Sequence, residues 1–356
     1  MRAASMTAGH QTMRGVTMTG FGGVDRVAIS AVPRPAPPGP RDVMVRLQAA
    51  ALNRVDLFVL RGLPRAAYDF PHVLGADGAG VVEEVGPDVQ RVRPGDRVMI
   101  NPGVSCGHCE VCLGGEQPLC RGFRILGEQL EGTLAELVVV PEANVAPIGD
   151  RFSWAEAAAF PLATLTAWRM LVTRARLRPG ETVLIWGVGG GVALAALQIA
   201  KLAGARPIVT SSSAAKLKVA QELGAEVTLD HSATDVAREV RGLTGAGVDV
   251  VVDTVGQATW RASLKALRPM GRLVTCGATT GPEVGLDLRR MFWFQWSLLG
   301  STMGNQGEFQ TIARLARQGQ LRPVVDSVTP FPRAVEAFTR LAEGRQLGKL
   351  VIEVAA

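Results

Sequence analysis

No apolar run in this chain approaches the ~20 residues that a helix needs to cross a bilayer. That excludes a helical membrane span; the richest stretch, MFWFQWSLLG, fits a buried segment instead. The opening residues, MRAASMTAGHQT, lack the apolar core of a secretory signal. They read as a disordered leader or tag over residues 1–13. Basic clusters are absent too. The net charge is +6, but the arginines are dispersed without a basic helix or an RNA-binding signature, which argues against a nucleic-acid partner. Internal repeats and low-complexity tracts are missing, so a solenoid is excluded. Tyr68 is the only tyrosine, so a phenolic proton donor has one candidate.

The 356 residues are 47% hydrophobic and 20% charged, enough for two domains with substantial cores. The clearest chemical signal is a cysteine cluster, GVSCGHCEVCLGGEQPLC. Cys106, Cys109, Cys112 and Cys120 follow C-x2-C-x2-C-x7-C, a spacing that suits one tetrahedral Zn²⁺. Four protein ligands leave no vacancy, so this metal should hold structure. An iron–sulfur cluster would place its fourth cysteine closer, with a proline behind it. Two disulfides also fit the spacing, but clustered thiols without a signal favour zinc and the cytoplasm. His108 reads as a solvent-facing loop residue within the cluster. Cys276, in RLVTCGA, reads as a buried strand residue.

Residues before Ser153 read as short, glycine-punctuated strands of a small barrel, interrupted by the cysteine lobe at about 101–125. SWAEAAAFPLATLTAWRMLVTRA then reads as a helix with Ser153 as N-cap and Glu156 completing a capping box. From Glu181 onward strand and helix alternate, which predicts a parallel, doubly wound sheet. In WGVGGGVALAALQIAK a glycine turn lies between the first strand and helix of that half. Gly187, Gly189, Gly190 and Gly191, with Val188 and Val192 between and after them, suit the approach of a dinucleotide pyrophosphate. NAD sites place a carboxylate at the end of the second strand. Here Ser211 and Ser212 follow, with Lys216 beyond, which favours NADP. Serines that merely cap the next helix are the plain alternative.

GADGAGVVEEVG, RPGDRV, the cysteine lobe, AAFPLATLTAW, the glycine turn and LGKLVIEV together resemble the medium-chain dehydrogenase/reductase superfamily over about residues 14–356. That superfamily includes zinc-containing alcohol dehydrogenases and zinc-free quinone oxidoreductases. The resemblance implies an α/β protein: a GroES-like, β-rich catalytic domain from residues 14–160 and 302–356, and a Rossmann domain over 161–301. It implies a cleft at their junction and a homodimer or homotetramer.

Catalytically zinc-dependent members carry ligands where this chain has Asn53, Ala76-Asp77 and Leu162. Alanine and leucine cannot bind zinc, and a hard-ligand site improvised from Asn53, Asp56, His72 and Asp77 is the remaining metal option. The quinone-reductase branch has Asn at the first position. The resemblance thus makes Asn53 the acceptor-side hydrogen-bonding candidate, with a purely local amide as the alternative. Asp56 and Asp77 match acidic positions of zinc relatives, as catalytic or fold-holding groups, and Tyr68 is a pocket-lining candidate. Thr166 resembles the threonine that packs on the nicotinamide, and His231 stands where relatives have a tyrosine near the adenosine phosphate. Gly277, Ala278, Ser301, Thr302 and Met303 follow late strands, at the expected nicotinamide end. The leading expectation is NAD(P)H-dependent hydride transfer to a quinone, enone or other activated small molecule, with structural zinc only. The alternatives are an alcohol dehydrogenase with a metal-free proton relay, and a cofactor-binding protein with little catalysis.

Overall fold

A computed structural model describes residues 11–63 and 68–355 of the chain. Six strands form one parallel sheet in the spatial order Val227–Asp230, Arg206–Ser211, Thr182–Ile185, Val248–Asp253, Leu267–Thr275, Ser297–Gly300. The central segments TVLI and VDVVVD are β-branched and mostly buried, as parallel strands covered on both faces must be. Helices Gly191–Leu202, Ala214–Glu222, Val236–Thr244 and Gln257–Ala266 supply the crossovers. Strand order reverses between Thr182–Ile185 and Val248–Asp253, so a crevice opens beyond their carboxyl ends.

The β-rich half draws on both regions of the chain. Its largest sheet runs Val145–Pro147, Arg97–Ile100, Asp77–Val85, Asp42–Ala51, Lys349–Glu353, Val325–Pro330, with Leu137–Pro141 also paired to Asp42–Ala51. Val351 lies opposite Ala51 in an antiparallel register. That register brings the C-terminal strand beside the loop holding Asn53. Alternating inward residues such as Val43, Val45, Leu47, Leu350 and Ile352 fill the barrel core. A second apolar cluster crosses the junction, joining Ala49 and Ala79 to Ala157, Phe160, Ile185 and Leu194.

Several expectations need correction. The strand Thr12–Met18 takes in Thr12 and Met13, which the sequence pattern assigns to the leader; residues 1–10 lie outside the described residues. Ser153 does form its capping box with Glu156, but the helix is not continuous. It divides into Trp154–Ala159 and Pro161–Trp168, because Pro161 has no N–H to continue the first and suits the opening of the second. A π-helical turn, Arg169–Arg174, closes the run. The strand Val227–Asp230 and the helix Val236–Thr244 have no counterpart in the sequence reading. MFWFQWSLLG is not a buried segment: Phe292 and Trp293 are 68% and 76% exposed. No helix among the described residues is long and apolar enough to cross a membrane.

Candidate functional site

The glycine turn meets its geometric requirements position by position. Gly187 and Gly189 have φ of +68° and +143°, in the region that side chains avoid. A Cβ at Gly191 would lie 2.9 Å from Lys349 Cδ, whereas one at Gly190 would meet nothing within 4 Å. The turn is therefore open on the cleft side and tight on the protein side. Gly187 N–H donates to Thr210 Oγ1 at 3.2 Å, and His231 Nδ1 lies 3.1 Å from the same oxygen. Gly348 N–H donates to Gly189 O at 2.7 Å and ties the turn to the C-terminal strand.

The cleft along this turn is lined by Asn53, Thr166, the whole of Gly187–Val192, Ser211, Ser212, Lys216, His231, Gly277, Thr302 and Met303. The structure thus brings most expected cofactor residues together. Ala278 and Ser301 instead line a neighbouring hollow with Arg169 and Arg174. Sequence reasoning missed Arg54, Gln346 and Lys349, which also line the cleft, and Cys276, which lies past its strand and faces the cleft. No aspartate or glutamate lines the cleft among the described residues, while Arg54, Lys216 and Lys349 do. The cavity is therefore built for an anion. Burial and the neighbouring Arg54 pull the Lys216 ammonium below its usual value. Thr166 Oγ1 and Gln346 Oε1 are buried without hydrogen-bond partners, as groups awaiting a ligand would be. A nicotinamide dinucleotide fits this donor set.

The floor of the cleft is a buried polar cluster. Lys349 Nζ donates to Asn53 Oδ1 and, at 2.8 Å, to Asp77 Oδ2. Asn53 Nδ2 donates to Asp77 Oδ2 at 2.9 Å and to Ala51 O at 3.3 Å. Asp77 Oδ1 accepts from Leu162 N–H at 2.8 Å. Asp77 is fully buried and does not line the cleft. Asp56 is also buried; it accepts from Asn53 N–H at 2.7 Å and Gly75 N–H at 3.2 Å. It does not itself line the cleft, although Asn53, to which it is bonded, does. Tyr68 lies outside the cleft lining, edge-on to Phe21 and His72 at 5.7 and 5.0 Å. His72 faces Glu131, with Nδ1 3.5 Å from Oε1, so it does not join Asn53, Asp56 and Asp77 in an improvised metal site.

Among the described residues, only the four cysteines form a set of His, Cys, Asp or Glu able to share one ion. Ligands 2.3 Å from a tetrahedral zinc lie about 3.8 Å apart. The Cys106–Cys112 and Cys109–Cys120 sulfurs are 3.8 Å apart, and Cys120–Cys106 3.6 Å. Such spacing excludes disulfides, whose sulfurs lie about 2.05 Å apart. N–H groups of Cys109 and Gly122 point at Cys106 and Cys120 sulfurs, the outer support a thiolate site needs. His108 is exposed, its Nδ1 2.8 Å from Cys106 O.

A Rossmann sheet, a phosphate-cradling turn and a thiolate lobe define a zinc-binding, dinucleotide-dependent protein. Known proteins agree. Residues 39–150 match the alcohol dehydrogenase GroES-like domain and residues 191–318 match zinc-binding dehydrogenase. The chain is 35% identical to a quinone oxidoreductase of Pseudomonas aeruginosa, covering 90% of this chain and 93% of that one. It is 31% identical to the synaptic vesicle membrane protein VAT-1 homolog of Rattus norvegicus, over 96% and 84%. A crystal structure described as an NAD-dependent alcohol dehydrogenase superposes with a TM-score of 0.92 at 47% identity, covering 96% of this chain and 100% of that one. The chain belongs to the zinc-containing alcohol dehydrogenase family of the medium-chain dehydrogenase/reductase superfamily, and is an NAD(P)-dependent oxidoreductase.

Proposed function

We propose that this protein is an NADPH-dependent reductase of electron-poor small molecules, quinones or enones, whose zinc is confined to the cysteine lobe. One observation bears most of this reading: an ammonium, Lys349 Nζ, fills the floor of the cleft between Asn53 and Asp77. A divalent ion placed there would meet a positive charge, and Ala76 and Leu162 offer it no ligand. Without a metal to lower an alcohol's pKa, the easier substrates are those that already accept electrons.

A bound nicotinamide supplies the hydride. The residues of the chain bind and orient it. The open Gly190 face and the N-terminus of Gly191–Leu202 would receive the pyrophosphate. Thr166 Oγ1, buried in the cleft lining without a partner, would offer the cofactor a polar contact. Ser211, Ser212, Lys216 and His231 would hold the adenosine end, and the absence of a lining carboxylate among the described residues favours a 2′-phosphate there. The 47%-identical structure is described as NAD-dependent, so the NADP reading stands on this chain's own donors. Its test is the ratio of kcat/KM for NADPH and NADH; a ratio below one overturns it.

The same relative's description as an alcohol dehydrogenase favours a second reading, oxidation of an alcohol through a metal-free proton relay. A panel of a quinone, an enone and an aldehyde with NADPH, set against alcohols with NAD(P)⁺, separates the two. Metal analysis is expected to give one zinc per chain; two would sink the proposed metal-free cleft. A further part of the proposal is a homodimer or homotetramer in the reducing cytoplasm. The exposed edge strand Ser297–Gly300 and the apolar side chains of Phe292 and Trp293 would lie at its contact, which light scattering checks.

A further inference from the structure

We propose that Lys349, not Asn53, is the residue that stabilises negative charge on the acceptor, its fixed ammonium taking the electrostatic place of a catalytic metal. This inference rests on the reductase reading above. Asn53 has no donor left for an acceptor oxygen: Nδ2 donates to Asp77 and Ala51, while Oδ1 accepts from Lys349. An ammonium has three N–H donors. Two go to Asn53 and Asp77, and no third acceptor lies within reach among the described residues. Lys349 lines the cleft and Asp77 does not, so the lysine is the member of the ion pair on the cavity side.

The ammonium is also pre-positioned. Its aliphatic stem runs through the space that Gly191 leaves by lacking a Cβ, which would come 2.9 Å from Lys349 Cδ and 3.1 Å from Ala163 Cβ. Gly348, with φ of +96°, turns the chain immediately before it; a Cβ there would lie 2.2 Å from Val324 O. Lys349 N–H donates to Val324 O at 2.9 Å. A donor held this firmly needs no reorganisation when charge develops. For an enone, hydride from the reduced nicotinamide would form a C–H bond at the β-carbon. The alkene electron pair then shifts to give an enolate, whose oxygen Lys349 holds by its third N–H. Solvent supplies the proton to the α-carbon, so the alkene is reduced and the nicotinamide oxidised.

The competing role is a ligand for the cofactor's phosphates, since Lys349 also borders the glycine turn. Lys349→Gln and Lys349→Arg distinguish the two, measured by NADPH Kd from fluorescence and by single-turnover reduction of the enone at saturating NADPH. The expected result for Lys349→Gln is a hydride-transfer rate lowered about 10²–10³-fold, the size of losing one preorganised donor, with Kd changed less than about three-fold. Lys349→Arg should retain at least ten times the rate of the glutamine variant. In Lys349→Ala, added ethylammonium should restore part of the rate. A weakened Kd with an unchanged rate overturns the proposal in favour of phosphate binding. Equal losses in the Arg and Gln variants, or no rescue by ethylammonium, overturn it in favour of a packing role. A wild type inactive with every acceptor overturns the reductase reading and this inference together.

Discussion

Burial of Asp56 in the first turn of the helix Arg54–Arg61 pushes its carboxyl from 3.8 up to about 7, against the pull of hydrogen bonds from Asn53 and Gly75 and of the Lys349 charge. The folded chain then holds a proton that the unfolded chain has released between about pH 4 and 7. Its contribution is fully present below the unfolded value and is lost as pH rises through the folded one. Asp56→Asn removes this dependence. The difference in unfolding free energy should shift in the variant's favour between pH 4 and 8, by at most about 4 kcal/mol for three pKa units. Denaturation of both proteins at each pH reads the shift, and parallel pH curves would count against it. Nothing around Asp56 in the sequence reveals this burial, because Gly75 and Lys349 approach it from other elements.

The glycine turn and its helix make a cleaner test at the next scale. Gly190 has ordinary extended angles, φ −86° and ψ 155°, and an added Cβ meets no protein atom within 4 Å. Gly190→Ala should therefore leave the thermal midpoint unchanged while the methyl group obstructs the pyrophosphate, raising the cofactor Kd at least ten-fold, about 1.4 kcal/mol. A lowered midpoint with unchanged Kd would show that the turn is only structural. This element was legible in the sequence because its chemistry is local: strand, glycines and helix are contiguous. The cysteine lobe was legible for the same reason, with four clustered thiols on one short loop. The helix after Ser153 was only half legible. Its cap and the break at Pro161 are local, but nothing local shows that the segments on either side pack on different layers. Lys349 and Asn53 were hardest to connect, since 296 positions separate them and no periodicity joins one to the other.

At the scale of the molecule, the zinc lobe is not an isolated appendage. Arg169, buried in the π-helical turn, pairs with Glu116 of the lobe and with Glu308 at 3.2 Å. Asn305 Nδ2 reaches Gly115 O at 2.8 Å, and Glu308 caps the helix Gln306–Arg317 by accepting from Asn305 N–H. Lobe, junction and the helix Gln306–Arg317 thus share one network, buried at Arg169 and Glu308. Arg169→Met leaves Glu308 buried without its cation and should cost about 3–5 kcal/mol. Urea unfolding would measure the loss, and metal analysis should still find the zinc bound. A loss below 1 kcal/mol would show the network to be dispensable. The net charge could not reveal it, since the interior arginine reads like the dispersed surface ones.

The strand Lys349–Glu353 closes the flank of Ala49–Ala51, yet it leaves the ribosome after the entire nucleotide-binding half has been translated. Through most of synthesis that flank is an unpaired edge, open to other nascent chains. Translation order therefore gives this protein a period of aggregation risk that ends when the strand bearing Lys349 docks, so completion of the sheet and of the cleft lining become one late event.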